Sequence, residues 1–419
     1  MAKKEEIPRN TQSEPNLHGD EVSIPNQNHY RWIMLALLWL LYFSFSLITR
    51  SIAPLVTPIL KDLKMNYSQM GTILGSWQLA YILVSIFAGT IIDKWGIRKS
   101  LFAGAIMIGL SALLRYFPEG FTGMLFAVAL FGVGGPMISI GCPKSIAVWF
   151  RGSDRGTAVG TYMTGSYIGM LAAFMLTNSF VMPLTGYSWR LTFVFYALVA
   201  LTIALLWWFL ARDVSLAAVS ADNPGITETF IKLMRIRNVQ IVLIMGLLSF
   251  AILHGFGIWL PKILEAKGLS PISAGFTASI PVVSGIPVLL SIPRVIPPRF
   301  RHRFVALAAL LTIFTLLLTV ITSGIIQIVG LILYGITGSG FLPILTLILM
   351  ETPGVETRFM GSAGGLFFCI AEIGGFTGPL IMGFLVDLTG TFLAGTIFFA
   401  VLSLAILCLT FMLKTEVTA

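Results

Sequence analysis

The chain has 419 residues, of which 56% are hydrophobic and only 11% are charged, and its mean hydropathy is +0.90. This composition excludes a soluble globular protein, because such a protein needs a much larger polar surface. The net charge of +9 does not indicate a nucleic-acid partner, because the basic residues are scattered over loops and not gathered into one patch.

Twelve apolar stretches predict the architecture of the chain. Each reaches the length of about 20 apolar residues that crosses a bilayer, and none shows the strict alternation of a barrel strand. We therefore predict an all-α polytopic membrane protein. Its helices are expected at about Trp32 to Leu60, Met70 to Ile92, Ser100 to Tyr116, Phe121 to Phe150, Gly156 to Val181, Trp189 to Leu210, Val239 to Leu260, Pro271 to Ile292, Phe304 to Thr322, Ile326 to Met350, Phe359 to Val386 and Thr391 to Leu413.

Polar segments divide the predicted helices into two groups of six. Residues 1–30 read as a disordered cytoplasmic tail, and the polar loop at 212–237 separates a bundle at 31–211 from a bundle at 238–414. Two matches at an offset of 204 residues indicate an internal repeat: Met65 to Gly71 with Leu269 to Gly275, and Gly160 with Gly364. We therefore predict two pseudo-symmetric six-helix bundles, an arrangement that transporters use.

The cations in the loops predict the orientation in the membrane. Of the 27 Lys and Arg, 19 fall on the side of both termini and six fall on the other side. Cytoplasmic loops retain Lys and Arg, so both termini are predicted to be cytoplasmic, in a multi-pass protein of the cell membrane. The six on the opposite side are Lys61, Lys64, Arg115, Arg190, Lys262 and Lys267.

No pattern in the sequence indicates catalysis, a cofactor or a metal site. The three cysteines lie in apolar stretches, without a disulfide framework or metal-ligand spacing. The four histidines form no arrangement with a nucleophile, and His254 is the one predicted to lie within a transmembrane helix. We therefore expect a protein that is not an enzyme and that needs no cofactor.

Three ionisable residues fall in the predicted membrane interior, where each costs several kcal/mol unless it faces a cavity or a partner. With a rise of ~1.5 Å per residue, Arg50 lies about 27 Å from the cytoplasmic end of its helix, His254 about 22 Å and Glu372 about 20 Å. One interpretation is an anion site with Arg50 as the fixed cation and with Glu372 or His254 as a protonatable partner. The alternative is that Arg50 and Glu372 are only buried counter-ions, or that Arg50 reaches the membrane surface.

Four further residues are weaker candidates for a solute pathway. Lys144 lies about 9 Å from the cytoplasmic end of helix 4. Its side chain either extends to that surface or forms a second cationic binding site on the pathway. Trp77, Gln78 and Tyr81 in helix 2 are also candidate pathway residues, with packing as the alternative interpretation.

The segment between predicted helices 2 and 3 carries the most specific motif of the chain. It reads Gly-x-x-x-Asp-Lys-x-Gly-x-Arg-Lys, and its glycines permit a tight turn. Together with twelve helices in a 6+6 repeat, this motif resembles the major facilitator superfamily, over the whole chain from about residue 31. The residues that form the motif are Gly89, Asp93, Gly96, Arg98 and Lys99.

Two departures from the family pattern stand beside this resemblance. Ile97 occupies a position where the motif has a basic residue, and the helix 4 arginine of the family has no counterpart around Val128 to Phe131. The second departure argues against a proton-coupling scheme taken from drug antiporters. The segment Gly186 to Arg190 and the glycines of helix 11 most resemble permeases for cyanate, nitrate or small organic anions.

The resemblance implies roles for the candidate residues. Helices 1, 4, 7 and 10 line the central cavity in this family, so Arg50, Lys144 and His254 are expected to face the pathway. Helices 2, 5, 8 and 11 form the interface between the halves, where Glu372 is expected. Asp93 and Arg98 are expected in a gating latch at the cytoplasmic ends, which holds the outward-open state.

These observations predict a secondary active transporter that moves a small anionic solute by alternating access, coupled to protons or to exchange. We expect a monomer in the lipid bilayer whose partners are the solute and either protons or a counter-substrate, with no nucleic acid. One alternative is an exporter of amphipathic drugs or metabolites, although a cationic solute needs an exposed acid and Glu372 is the one acid available. The other is a transport-inactive receptor or scaffold.

Overall fold

The computed structural model describes residues 27–213, 226–355 and 360–413, and within these ranges the regular structure is helical. Twelve segments of the described chain are long and apolar enough to cross a membrane, as the sequence predicts. The helices are α1 (Gln27–Arg50), α2 (Val56–Asp62), α3 (Tyr67–Trp95), α4 (Ile97–Leu114), α5 (Phe121–Trp149), α6 (Gly152–Leu176), α7 (Met182–Leu184), α8 (Trp189–Leu210), α9 (Ile226–Met234), α10 (Arg237–Ala266), α11 (Pro271–Val295), α12 (Arg301–Ile321), α13 (Ile325–Met350), α14 (Met360–Thr389) and α15 (Phe392–Met412).

Several predicted boundaries differ from the structure. Residues 1–26 of the predicted tail lie outside the described residues, whereas 27–30 already belong to α1. The predicted start of helix 11 at Phe359 also lies outside them. The predicted loop at 212–237 contains the helix α9. Its apolar residues Phe230, Leu233 and Met234 recur at helical spacing, and Leu233 is buried where α9 packs against the carboxyl-terminal bundle.

The first span is broken, whereas the sequence predicts one continuous helix from Trp32 to Leu60. α1 ends at Arg50, a short 3₁₀ turn covers Ala53–Leu55, and α2 completes the crossing. Pro54 has no N–H to donate to the carbonyl of Arg50, so the helical hydrogen-bond ladder stops at this point. The break therefore places Arg50 at a helix end in the interior of the membrane.

The motif between the second and third spans is mostly helical and not a loop. α3 continues to Trp95, so Gly89 and Asp93 lie inside it. The turn consists of Gly96, whose φ of +84° favours glycine and which lies between the end of α3 and the start of α4. The prediction of a tight turn is confirmed for Gly96 but not for Gly89.

The two bundles, α1–α8 and α10–α15, have corresponding helix caps at the predicted offset of 204 residues. Asn66 accepts a hydrogen bond from the Gln69 N–H to cap α3, and Ser270 accepts one from the Ser273 N–H to cap α11. One turn later, α3 packs closely against α14 and α11 against α6. These two helix pairs form the interface between the bundles, and the prediction of two pseudo-symmetric six-helix units is confirmed.

The halves are held together at one end of the interface, which we call the distal end because an even number of spans puts Gln27 and Leu413, the first and last described residues, at the other. Asp387 of α14 accepts hydrogen bonds from the Tyr67 and Ser68 N–H groups at the start of α3, at 3.0 and 2.7 Å. Thr57 at the end of the first span contacts the carboxylate of Glu265 in α10. The distal end is therefore closed.

At the opposite end, which we call the termini end, the halves separate. Along the interface of α3 and α14, the described hydrogen bond that lies nearest to this end joins Ser85 and Cys369, whose Oγ and Sγ atoms are 3.8 Å apart. A Cβ atom built on Gly365 of α14 or on Gly89 of α3 would have no heavy atom of another described helix within 4 Å. In the described part of the chain, the interface of α3 and α14 is therefore open at the termini end.

Candidate functional site

A cavity of about 240 Å³ lies between the two halves, and Arg50 is the one charged side chain among its described lining residues. Arg50 occupies the last turn of α1, where the partial negative charge of the helix carboxyl end favours a cation. Its guanidinium has no hydrogen bond or ion pair in the described part of the chain. Its electrostatic neighbours are Tyr334 and Glu372. The structure therefore offers a fixed cation with free donors to the cavity.

Gln78 joins the two halves beside this cavity. Its amide nitrogen lies 3.2 Å from the carbonyl oxygen of Gly375 in α14 and 3.2 Å from Nδ1 of His254 in α10. The carbonyl can only accept, so it fixes the orientation of the amide, and the second amide hydrogen then faces His254. Nδ1 must therefore accept this hydrogen bond, which describes a neutral imidazole with its proton on Nε2.

Glu372 lies in α14, three residues before Gly375, whose carbonyl accepts the hydrogen bond from Gln78. Its side chain is buried, and Oε2 has no hydrogen-bond partner among the described residues. Both Oε2 of Glu372 and Nε2 of Gln78 approach the position that a Cβ on Gly375 would take, at 2.8 and 3.2 Å. Arg50 acts on Glu372 electrostatically but forms no ion pair with it. The structure therefore brings Arg50, His254 and Glu372 into one region, with no contact ion pair among the described residues there. An anion site with a protonatable partner stays a prediction.

Trp77 and Tyr81 border this region but make different contacts. The ring of Trp77 is buried and lies 5.4 Å from that of Phe131 and 6.0 Å from that of His254. The hydroxyl of Tyr81 hydrogen-bonds to Ser139 Oγ at 2.7 Å, within the amino-terminal half. Both residues are held by packing or hydrogen bonds in this conformation, and their part in a solute pathway stays a prediction.

Lys144 and the motif lie apart from the cavity, at the termini end. Lys144 of α5 forms an ion pair with Asp93 of α3, within the same half. The backbone N–H of Arg98 donates to Asp213 at 3.2 Å, and its guanidinium donates to the Trp208 carbonyl at 2.6 Å. In this conformation, these residues connect helices of one half. Lys99 is exposed, and the role of the motif in a latch between the halves stays a prediction.

Sequence analysis missed the role of Arg115, which it counted only among the six cations on the side opposite the termini. Arg115 is 1% exposed, and it follows directly on α4. It donates to the carbonyl of Ile48 at 3.1 Å and to Ser111 Oγ at 3.3 Å, and it lies over the ring of Phe193. Arg115 thus holds the backbone of α1 two residues before Arg50, close to the break in the first span.

A signal for this role is present in the sequence. The predicted first helix is longer than the about 20 residues that a span needs, and it contains Pro54 and Pro58. A break in that helix leaves backbone carbonyls to be satisfied inside the protein. Asp387, which closes the distal end, has no comparable signal, because its partners Tyr67 and Ser68 lie more than 300 residues away.

The comparison with known protein families gives a match over most of the chain. Residues 38–379 match the model of the Major Facilitator Superfamily. The hexuronate transporter of Bacillus subtilis (strain 168) is 25% identical over 367 residues, which cover 82% of this chain and 85% of that protein. The probable galactarate/D-glucarate transporter GudP of Escherichia coli (strain K12) is 23% identical, with 88% and 90% of the two chains covered.

Solved structures show the same fold at lower sequence identity. The nucleoside transporter NupG matches with a TM-score of 0.77 at 17% identity, over 91% of this chain and 99% of that one. A bacterial homolog of the human lysosomal transporter Spinster, in an inward-facing and occupied conformation, matches with a TM-score of 0.75 at 15% identity, over 91% and 96%.

Proposed function

The chain belongs to the Major Facilitator Superfamily, and we propose on that premise that it carries a small organic anion across the membrane by alternating access. The observation that carries this proposal is Arg50, a guanidinium in the central cavity without a protein partner among the described residues. Relatives named for hexuronate and for galactarate or D-glucarate support it, because these solutes are carboxylates. An exporter of cations is less well supported, because Glu372 is not among the cavity-lining residues.

We further propose that the termini end faces the cytoplasm of a bacterial-type cell membrane. The excess of Lys and Arg on that side supports this orientation. The conformation described here is then inward-open, with the distal end closed against the outside. We propose the monomer as the transporting unit, because both halves of one chain line the cavity.

Coupling to protons is proposed to run through Glu372, with His254 as its neighbour. A buried carboxylate without a partner is costly, so Glu372 is best accommodated in its neutral form when Arg50 binds an anion. When the anion leaves, the charge of Arg50 favours the carboxylate, and the proton leaves as well. One anion and one proton would therefore move in the same direction. Protonation of Nδ1 of His254 would also break the Gln78 hydrogen bond between the halves.

Uptake of radiolabelled anions into proteoliposomes, with and without an imposed pH gradient, tests this function. Replacing Arg50 by Ala should lower uptake by about 10- to 100-fold, because the anion loses a charge-assisted hydrogen-bonded partner. The Arg303→Ala protein, which removes an exposed arginine far from the cavity, serves as the matched control. Unchanged uptake after Arg50→Ala would contradict the anion site.

The same preparation separates coupling from binding. With Glu372→Gln, the side chain stays neutral, so exchange of internal for external anion should persist while uptake driven by the pH gradient is lost. Equal stimulation of wild-type and Glu372→Gln proteins by the gradient would rule out Glu372 as the proton carrier. The position of the proton site would then have to be sought elsewhere, while the anion site would remain.

A further inference from the structure

The lining of the cavity restricts the solute beyond its charge. We propose that the solute is a monoanion with an apolar body, and not a polyhydroxylated sugar acid of the kind named for the relatives. This inference rests on the proposed function, because it assumes that the anion binds to Arg50. It concerns the walls of the cavity around that arginine, which are contributed by α6, α10, α11 and α13.

The charge of the site fits one anionic group. Arg50 is the one charged residue in the described lining, and the other cations that sequence or structure suggested are engaged elsewhere. Lys144 pairs with Asp93 at the termini end, and Arg115 holds the carbonyl of Ile48. A second carboxylate, as in a sugar diacid, would lie against apolar walls without a cation, which disfavours its transfer from water.

Besides Arg50, the described lining of the cavity has four polar side chains, those of Ser166, Tyr167, Tyr334 and Ser339. Tyr334 lines the cavity, interacts electrostatically with Arg50, and has a buried hydroxyl without a partner in the described chain. The other polar lining side chains are already engaged: Ser166 Oγ is hydrogen-bonded to Ser46 at 2.5 Å, and the hydroxyl of Tyr167 interacts with the side chain of Ser339. The free donors therefore suit a single carboxylate, held by the guanidinium of Arg50 and by the hydroxyl of Tyr334.

The remaining walls suit an apolar body. They consist mainly of aliphatic and aromatic side chains from four helices, and hydroxyl groups placed against them would lose their hydrogen bonds to water. The cavity of about 240 Å³ is also smaller than the roughly 300–1,000 Å³ of sites for drug-sized ligands, which favours a compact solute. The apolar walls include Met170, Phe174, Leu253, Leu260, Val282 and Leu342.

Four probes separate these features in one experiment on the full-length purified protein. Benzoate carries one charge and an apolar ring, benzamide has the same shape without charge, D-glucuronate is a polyhydroxylated monoanion, and D-glucarate is a polyhydroxylated dianion. Binding is measured by thermal shift over a concentration series, because a ligand that binds the folded state raises its stability. Counterflow in proteoliposomes then shows which of the bound probes are transported.

We expect benzoate to bind at least about tenfold more tightly than D-glucuronate, because each buried hydroxyl without a partner costs on the order of a factor of ten. Benzamide should bind more weakly than benzoate, and this difference should vanish in the Arg50→Ala protein. The Tyr334→Phe protein should lose about tenfold in affinity for benzoate, since it lacks the second donor to the carboxylate. The Tyr116→Phe protein, which alters an exposed tyrosine, is the matched control.

The outcomes distinguish this inference from the function on which it rests. If D-glucuronate or D-glucarate binds as tightly as benzoate, with dependence on Arg50, the apolar-body inference is overturned and anion transport stands. If no anion in the panel binds in an Arg50-dependent manner, the proposed function fails and this inference fails with it. If Tyr334→Phe binds benzoate as wild type does, the assignment of the second donor is overturned.

Discussion

The two ends of the α3–α14 interface have the same glycine pattern but different backbone contacts. Gly71 and Gly89 on α3 are 18 residues apart, as are Gly383 and Gly365 on α14, and 18 residues are five full helical turns. Each helix therefore presents a glycine on the same face at both ends. At the distal end, Cβ atoms on Gly383 and Gly71 would lie 2.1 Å from the Tyr67 oxygen and 2.3 Å from the Pro379 oxygen. At the termini end, Cβ atoms on Gly365 and Gly89 would touch no other helix in the described part of the chain.

This difference indicates what the termini-end glycines are for. Small residues let membrane helices approach closely, and an interface between packed helices changes between discrete arrangements. The distal glycines are engaged in the conformation described, whereas Gly89 and Gly365 are free. We expect the free pair to make the corresponding close contact when the termini end closes. In this view, Gly89 of the motif is an interface residue of the opposite conformation and not a turn residue.

The largest expected effect follows from adding a side chain at the closed end. Gly383→Val places a Cβ on the carbonyl oxygen of Tyr67, and neither backbone can move aside without separating the helices. We expect the distal end to stay open and uptake to fall at least about tenfold, since such overpacking costs about 1–3 kcal/mol or more. Gly365→Val, on the same face five turns away, is the mirror variant. It should leave the distal end closed and impair closure of the termini end.

Distances between spin labels at each end check this pair of variants. Labels on the exposed residues Lys61 and Ala266 report the distal end, and labels on Arg155 and Val295 report the termini end. The comparison between the ends fails if Gly383→Val leaves the distal distance unchanged. It also fails if Gly365→Val opens the distal end as Gly383→Val does, because the two glycines would then act only through the stability of α14.

A smaller effect is expected from the hydrogen bonds that join the halves at the distal end. Asp387 accepts from the Tyr67 and Ser68 N–H groups, at the amino-terminal end of α3, where a negative charge is favoured. Asp387→Asn removes that charge, and the closed distal end should become about tenfold less populated, because hydrogen bonds to charged groups contribute about 1.5–3 kcal/mol before solvent screening. The same label pair measures the change.

Asp62→Asn is the matched control for this prediction. Asp62 is a carboxylate at the same end of the molecule, but it accepts from Trp189 and Arg190 within the amino-terminal half. Its removal should lower stability without changing the balance between the two conformations. Equal shifts in the label distances for Asp387→Asn and Asp62→Asn would show that Asp387 has no special part in closing the distal end.

The sequence was sufficient for the global architecture, and the reason is physical. The hydrocarbon core demands long apolar helices, so hydropathy alone identifies twelve spans, and the shared caps of α3 and α11 show the repeat. The exact ends of the helices could not be predicted, because a helix such as α3 continues through polar residues of the motif up to Trp95. The end of α1 at Arg50 depends on Pro54 and on Arg115, which directly follows α4. A hydropathy analysis takes neither residue into account.

The site could be predicted only as a set of residue types at similar depth. A buried charge is rare enough in a membrane span to mark Arg50, His254 and Glu372, and the structure places them in one region. Depth along a helix does not give the direction of a side chain, so the pairing of Lys144 with Asp93 was not foreseen. Contacts between residues hundreds of positions apart, such as that of Asp387 with Ser68, have no local signature in a single sequence.

The smallest expected effect concerns the ion pair at the open end. Asp93 and Lys144 are partly exposed, with 61% and 31% of their side chains accessible, and such pairs contribute about 0–1 kcal/mol. Asp93→Asn is therefore expected to slow turnover by no more than about fivefold, with the affinity for the solute intact. Initial rates of uptake over a range of solute concentrations separate turnover from affinity. Normal turnover with lost binding would contradict this prediction.

A comparison with Lys144→Gln decides whether Asp93 has a second role. If Asp93 acts only through the ion pair, both single variants and the double variant should slow turnover equally, since any one of them removes the same interaction. If Asp93 also joins the halves when the termini end closes, Asp93→Asn should be slower than Lys144→Gln, and the double variant should match Asp93→Asn. The latch predicted from the motif requires the second result. The first would confine Asp93 to holding α3 against α5 within one half.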